Sequence, residues 1–180
     1  MRITRRAFGA GLVANAAIAQ DILTLPPPKT DARIQYGDDP NRFGDLRAPK
    51  GSGPHPVVNF IHGGSWLGAY DLAHAGHLCA ALTAEGFATW SLEYRAIGQP
   101  GGGSQVQRYK WSSPMELLPM AVPQRVIHGE QDDIVPFDLS LAFAKASKNA
   151  KLIAIPNAGH FKLIEPRSAA WPTVLQNITT

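Results

Sequence analysis

The sequence predicts an α/β fold, a mostly parallel sheet with flanking helices, and three observations carry that expectation. Residues 57–94 read as strand, helix, strand, the order of a βαβ crossover unit. Residues 125–155 repeat the same alternation. Three glycine-bearing polar segments, 62–66, 128–133 and 156–161, each follow an apolar strand-like run, where open α/β sheets place their sites. The 180 residues suit one domain, and 44% hydrophobic residues are enough to build a core. The lone cysteine, Cys79, excludes a disulfide framework and any multi-cysteine zinc or iron–sulfur centre.

The N-terminal segment stands apart. Arg2, Arg5 and Arg6 precede a run of small and apolar residues from Ala7 to Ala19 that holds no acid. Ala17-Ile18-Ala19 matches the small-x-small pattern of a signal-peptidase site, and Thr4-Arg5-Arg6-Ala7-Phe8 resembles a twin-arginine export signal. A signal peptide over 1–19 and a periplasmic or extracellular protein are therefore expected, with a buried N-terminal helix as the alternative. The apolar run is too short, and too rich in Gly and Ala, to make a stable membrane span. Removal of 1–19 leaves 161 residues with 14 basic and 14 acidic side chains. The net charge of +3 and the sequence pI near 9.2 thus belong to the leader, and nucleic acid is not an expected partner.

The remaining elements follow in order. Residues 20–30 contain Pro26-Pro27-Pro28 and read as an extended linker; the expected domain runs over 31–180. A short strand is expected over 31–36, then a turn-rich stretch to Pro56. Residues 57–61 form a nearly continuous apolar run, as expected of a strand covered on both faces of a parallel sheet. Asp71 is placed to cap a helix over 72–85, in which Leu72, Ala75, Leu78, Cys79 and Leu82 recur at helical spacing. Gly86 ends it, and 88–94 is the next strand. Residues 95–124 hold no convincing strand; Gly101-Gly102-Gly103-Ser104 reads as a flexible connector, and Ser112-Ser113 before Pro114 as a turn or helix start. Strands are then expected over 125–127 and 151–155, and helices over 136–148 and 168–177.

Three segments have the make-up of reactive machinery. In His62-Gly63-Gly64-Ser65-Trp66, glycines let backbone N–H groups turn toward a cavity and stabilise an oxyanion, although two glycines also suit an ordinary turn. Asp132, just past a strand end, is placed to orient a histidine, or simply to cap a helix. His160 lies in the loop after the last strand, where a structural role is the plain alternative. Acid and then histidine on successive strand ends is a more specific signal than either residue alone. His74 and His77, three apart on one helix, suit a solvated face better than a metal pair. Cys79 suits a buried helical position, and Trp66 and Tyr70 suit either an acyl or aryl pocket or ordinary packing.

With HGGSW (62–66), HGEQDDIVP (128–136) and NAGHF (157–161) in that order, the chain resembles the α/β-hydrolase superfamily. The resemblance is to its esterase/lipase branch, which shares features with arylformamidases and prolyl-oligopeptidase domains, and it extends over 31–98 and 109–178. It implies an ester or amide hydrolase with Asp132 as the triad acid (Asp133 the less favoured choice) and His160 as the general base. Gly63 and Gly64 would form the oxyanion loop, and His62 and His128 would be structural residues beside the site. It implies a small-molecule ester or amide substrate and no metal or cofactor.

One part of the pattern is missing. The nucleophile of that family sits on a Gly-x-Ser-x-Gly elbow, and no such pentapeptide occurs here. Gly63-Gly64-Ser65-Trp66-Leu67 and Gly102-Gly103-Ser104-Gln105-Val106 each lack the last glycine, and Ser65 would approach from the wrong strand. Measured against the family, two or three βαβ units of about 30 residues each are absent, with a gap near 103–105. The strands ending at His62 and His128 would then be left as apolar edges, free to pair with each other or to drive self-association. As it stands the chain has acid, base and oxyanion loop without a recognised nucleophile. Its expected activity is therefore impaired, and the alternatives are an inactive binding or scaffold protein or a non-functional deletion product.

Overall fold

Two separate sheets, not one, organise the chain. The structure, a computed structural model, describes residues 22–179, so the signal-peptide segment 1–19 lies outside the described residues. The strands are β1 (Ala32–Gln35), β2 (Phe43–Arg47), β3 (Val57–Ile61), β4 (Ala88–Leu92), β5 (Gln124–Gly129) and β6 (Ala150–Ile155). The helices are α1 (Gly76–Ala84), α2 (Gln105–Ser112), α3 (Phe137–Ala146) and α4 (Trp171–Thr179), with short 3-10 turns at Leu72–Ala75 and His160–Leu163. The first sheet has the order β1-β2-β4-β3, antiparallel except for the β3–β4 pair; the second is the parallel pair β5-β6.

The β3–α1–β4 unit forms as its pattern predicts. Asp71 accepts a hydrogen bond from the Ala73 N–H, but it caps the 3-10 turn that leads into α1, so the predicted single helix has two parts. Leu78, Cys79 and Leu82 are buried against the sheet, and the Thr83 hydroxyl meets that of Thr89 on β4 at 3.2 Å. Burial pushes the Cys79 thiol above its ordinary value, which makes it an inert core residue. His74 and His77 are half-buried, not solvated as expected, because the turn and helix carrying them pack onto the sheet over its interior strands β4 and β2.

Strand β2 falls inside the stretch expected to be turns. Its residues hide a strand because the inward positions are charged: Asp45 is buried and accepts from the Arg33 Nε and Nη2 at 2.7 and 2.9 Å, and Arg47 is buried with Nη2 on the Pro28 carbonyl. Gly44 leaves room for Trp90 of β4, whose indole occupies the place of a side chain there. Residues 25–30 take no regular structure, while Ile22 ahead of them is fully buried.

Strand β3 corrects one expectation. It is not covered on both faces; it is the last strand of its sheet, and Val57 and Ile61 are 60% and 69% exposed. An apolar run reads the same whether a neighbour strand is present or not, so its sequence cannot reveal an edge. Strand β5 likewise has β6 as its one partner among the described strands, and β3 and β5 do not pair with each other. In the second sheet, Ile155, Ala158, Ala170 and Val174 form the core, with Ile127, Ile153, Leu163 and Trp171 packed around it.

The segment 95–124 contains helix α2, which begins at a capping box: the Gln107 N–H donates to the Ser104 hydroxyl and the Gln107 side chain accepts from the Ser104 N–H. Ser112 ends this helix and Ser113 is its C-terminal cap, so the pair closes a helix instead of starting one. No helix among the described residues is long and apolar enough to cross a membrane.

Candidate active site

The C-terminal ends of β3, β5 and β6 deliver two half-sites to one cavity of about 580 Å³. From the first sheet come Gly63, Gly64 and Ser65; from the second come His128, Asp132 and His160. Leu23, from the segment before the triple proline, and Tyr70 also line it.

The loop after β3 is wound tightly. Gly64, Ser65 and Trp66 have φ of +106°, +52° and +58°, and two of these are side-chain-bearing residues in a sparsely populated region. A Cβ on Gly64 would lie 2.4 Å from the Tyr70 Cβ, so glycine is required there for two reasons. The loop is held by Leu67 N–H on the Gly64 carbonyl (2.9 Å) and Ile97 N–H on the Trp66 carbonyl (2.8 Å). The N–H groups of Gly63, Gly64 and Ser65 donate no hydrogen bond among the described residues. Consecutive unused N–H groups on a positive-φ turn form a concavity suited to an anion.

His62 anchors that loop from beneath. Its Nε2 is 3.0 Å from Glu93 Oε1, its Nδ1 is 2.8 Å from the Gly63 carbonyl, and its ring stacks on Tyr94 at 4.3 Å. Glu93 also accepts from the N–H groups of Tyr94 (2.9 Å) and Leu72 (3.1 Å). Burial opposes ionisation of Glu93, but His62 and the two N–H donors outweigh it and hold the carboxyl below its usual range.

The second half-site is built by a close approach of two loops. Gln131 N–H donates to the Ala158 carbonyl and Glu130 N–H to the Ile155 carbonyl, and a Cβ on Gly129 would strike the Ala158 carbonyl oxygen at 2.2 Å. This brings His160 Nδ1 to 2.8 Å from Asp132 Oδ2. The other oxygen, Oδ1, accepts from the N–H groups of Ile134 (2.9 Å) and Val135 (2.8 Å). Burial works against the ionised acid, yet these donors and His160 hold Asp132 below the usual carboxylate range. An ionised Asp132 fixes the proton of neutral His160 on Nδ1, which leaves Nε2 with its lone pair; Nε2 has no hydrogen bond among the described residues. His128 faces Val135 O and Asp132 Oδ2 through Nε2 and the Ser140 hydroxyl through Nδ1, so it braces the acid.

The structure thus brings Gly63, Gly64, Asp132, His128 and His160 to one cavity, with His62 behind the loop. Asp133 makes no hydrogen bond or ion pair with His160, whose carboxylate partner is Asp132. Ser104 is occupied as a helix cap and lines neither this cavity nor the one beside it, whereas Ser65 lines both. Tyr70 lines this cavity and Trp66 the neighbouring one. Sequence reasoning missed Glu93 and Ser140. The register of the parallel pair, Ile61 opposite Leu92, is the signal that places Glu93 beside His62. Among the described residues, no three His, Cys, Asp or Glu side chains converge to hold a metal.

Solved structures resemble this fold. Esterase B from Lactobacillus rhamnosis aligns with a TM-score of 0.62 and 14% identity over 94% of this chain and 90% of that one. A truncated carbohydrate esterase from gut microbiota gives 0.61 and 12% over 85% and 95%. An alpha-beta serine hydrolase homologue from Coxiella burnetii gives 0.55 and 16% over 83% and 98%. No protein-family model matches the chain, and no curated protein matches it. At these identities the likeness establishes the α/β-hydrolase fold, and the chemistry has to be read from the residues.

Proposed function

We propose that the chain carries the acid, base and oxyanion loop of a serine-type ester or amide hydrolase, with activity impaired by the lack of an elbow nucleophile. The observation that carries this reading is the Asp132–His160 pair, with Nε2 unoccupied, lining the same cavity as the unused N–H groups of Gly63 and Gly64. In the complete reaction a serine hydroxyl attacks the carbonyl carbon while His160 Nε2 takes its proton. Asp132 holds the imidazolium, and the loop N–H groups receive the oxyanion; His160 then returns the proton to the leaving alcohol or amine. Water, with His160 again as base, cleaves the acyl-serine to release the acid and restore the hydroxyl.

Without the serine, His160 can still act as a base toward water, and the loop can still polarise a carbonyl. Expected is slow hydrolysis of p-nitrophenyl butyrate that falls to the buffer rate in His160→Ala, with no fluorophosphonate labelling of the folded protein. A rate unaffected by His160→Ala would overturn the hydrolase reading. Labelling that His160→Ala abolishes would overturn only the impairment, and Ser65→Ala would then tell whether the loop serine is the nucleophile.

A second reading is favoured by the open edges of β3 and β5, with Val57 and Ile61 exposed. An internal deletion near 103–105 would leave those edges and produce an inactive chain that self-associates. Sedimentation of a stable monomer with a cooperative urea transition would count against it. For residues 1–19 we propose export by the twin-arginine route; unchanged fractionation after Arg5 and Arg6 are replaced by Lys would refute that.

A further inference from the structure

We propose that the second cavity, on the far side of the HGGSW loop, is a binding site for an aromatic carboxylate. It measures about 410 Å³, within the usual range of small-molecule sites, and lies between the end of β3 and helix α2. Trp66 and Tyr109 form its aromatic wall, edge to face with ring centres 5.3 Å apart. Arg108 is the cation in its lining, and no Asp or Glu lines it.

The polar groups in this cavity differ in what they have left to offer. The Tyr94 hydroxyl donates to the His62 carbonyl at 2.6 Å, and the Ser112 hydroxyl to the Arg108 carbonyl at 2.6 Å, so both donors are spent. His62 is spent on Glu93 and Gly63. Arg108 is fixed by Nε on the Gly102 carbonyl (2.6 Å) and Nη2 on the Arg95 carbonyl (2.7 Å), but Nη1 has no partner among the described residues. A guanidinium has five N–H donors in a rigid fork that matches a carboxylate. Held by two carbonyls and 5.9 Å from the Trp66 ring, it is oriented before any ligand arrives. An anion answers the free donors and the unbalanced charge; a flat ring answers the Trp66–Tyr109 wall.

Gly63 and Ser65 line both cavities. A ligand with its carboxylate on Arg108 would therefore direct its other end toward the loop N–H groups, which would make this cavity a selector of substrates. That link rests on the hydrolase reading; the binding itself does not.

Benzoate and its neutral counterpart benzamide, titrated at pH 7 and followed by tryptophan fluorescence and calorimetry, test the site. Wild type is expected to bind benzoate about tenfold or more tightly than benzamide, the scale of a charge-assisted hydrogen bond. Arg108→Gln should bring the two ligands within about twofold, and Tyr109→Ala should weaken both alike. Trp111→Ala, on the same helix but outside the cavity, should change neither. Because Arg108 also supports the 95–102 loop, a misfolded Arg108→Gln would leave the wild-type preference and Tyr109→Ala to decide. No saturable benzoate binding, equal affinity for the two ligands, or an undiminished preference in folded Arg108→Gln would overturn the proposal. Benzoate binding without any hydrolysis would sink the hydrolase reading and leave this site standing.

Discussion

The two sheets each present a histidine–carboxylate pair at the end of a parallel strand, and the pairs are put to opposite use. In the first, His62 and Glu93 are 2% and 10% exposed, both ring nitrogens have partners, and the carboxylate also gathers two backbone N–H groups. In the second, Asp132 is just as hidden at 3%, but His160 is 34% exposed and uses one nitrogen. The chemistry of the pairing is the same. What separates a strut from a candidate base is the fate of the second nitrogen, and that depends on what packs above the ring.

The strongest way to break the comparison is Glu93→Ala. It strips the buried partner from His62 and orphans the N–H groups of Leu72 and Tyr94, so a loss of about 3–5 kcal/mol in urea unfolding is expected. A cost under about 1 kcal/mol would mean that the first pair is not a strut. Next in size is Gly64→Ala, which adds a Cβ at φ +106° into the Tyr70 side chain. It should cost about 2–4 kcal/mol and, where p-nitrophenyl butyrate turnover is measurable, abolish it.

How far these pairs could be foreseen differs in the same way. Asp132 and His160 were legible because both sit in short loops just after apolar runs, and order along the chain is a sequence property. Glu93 was not, because its role depends on the β3–β4 register, which places Leu92 beside Ile61. Strand β2 was hidden because its inward residues are Asp45, paired with Arg33, and Arg47, whose Nη2 reaches the Pro28 carbonyl. Helix α2 was overlooked although Ser104 and Gln107 spell a capping box; no residue of it is buried, so it lacks the apolar stripe that reveals most helices. The edge position of β3 had no signature, since exposure is a property of the neighbours.

Acid should also distinguish the two regions. His74, packed in edge contact with His62 in the first region, is held below the ordinary histidine value by burial and by His62. A lowered histidine favours its neutral form on folding. The stability it supplies is therefore complete above the unfolded value near 6.5 and is lost as pH falls below it. Asp132 and Glu93, both lowered carboxyls, supply stability that is complete above about pH 4 and lost as pH drops through their folded values. Thermal melts of wild type should thus weaken in two stages, and His74→Phe should remove the upper one. An upper stage that survives in His74→Phe would move its origin away from the first region.

The smallest expected effect is the most discriminating. His160→Ala removes one hydrogen bond from Asp132, which keeps the N–H groups of Ile134 and Val135, and it exposes no new core; a change within about 1 kcal/mol is expected. His62→Ala, the same substitution on the other sheet, leaves Glu93 buried without its ring partner and should cost about 3 kcal/mol or more. That outcome would fit the proposed base: a histidine that stability does not need, held in one tautomer by a buried acid and left open on its other nitrogen. If His160→Ala instead unfolds the protein as readily as His62→Ala, both pairs are struts, and the second sheet holds no base.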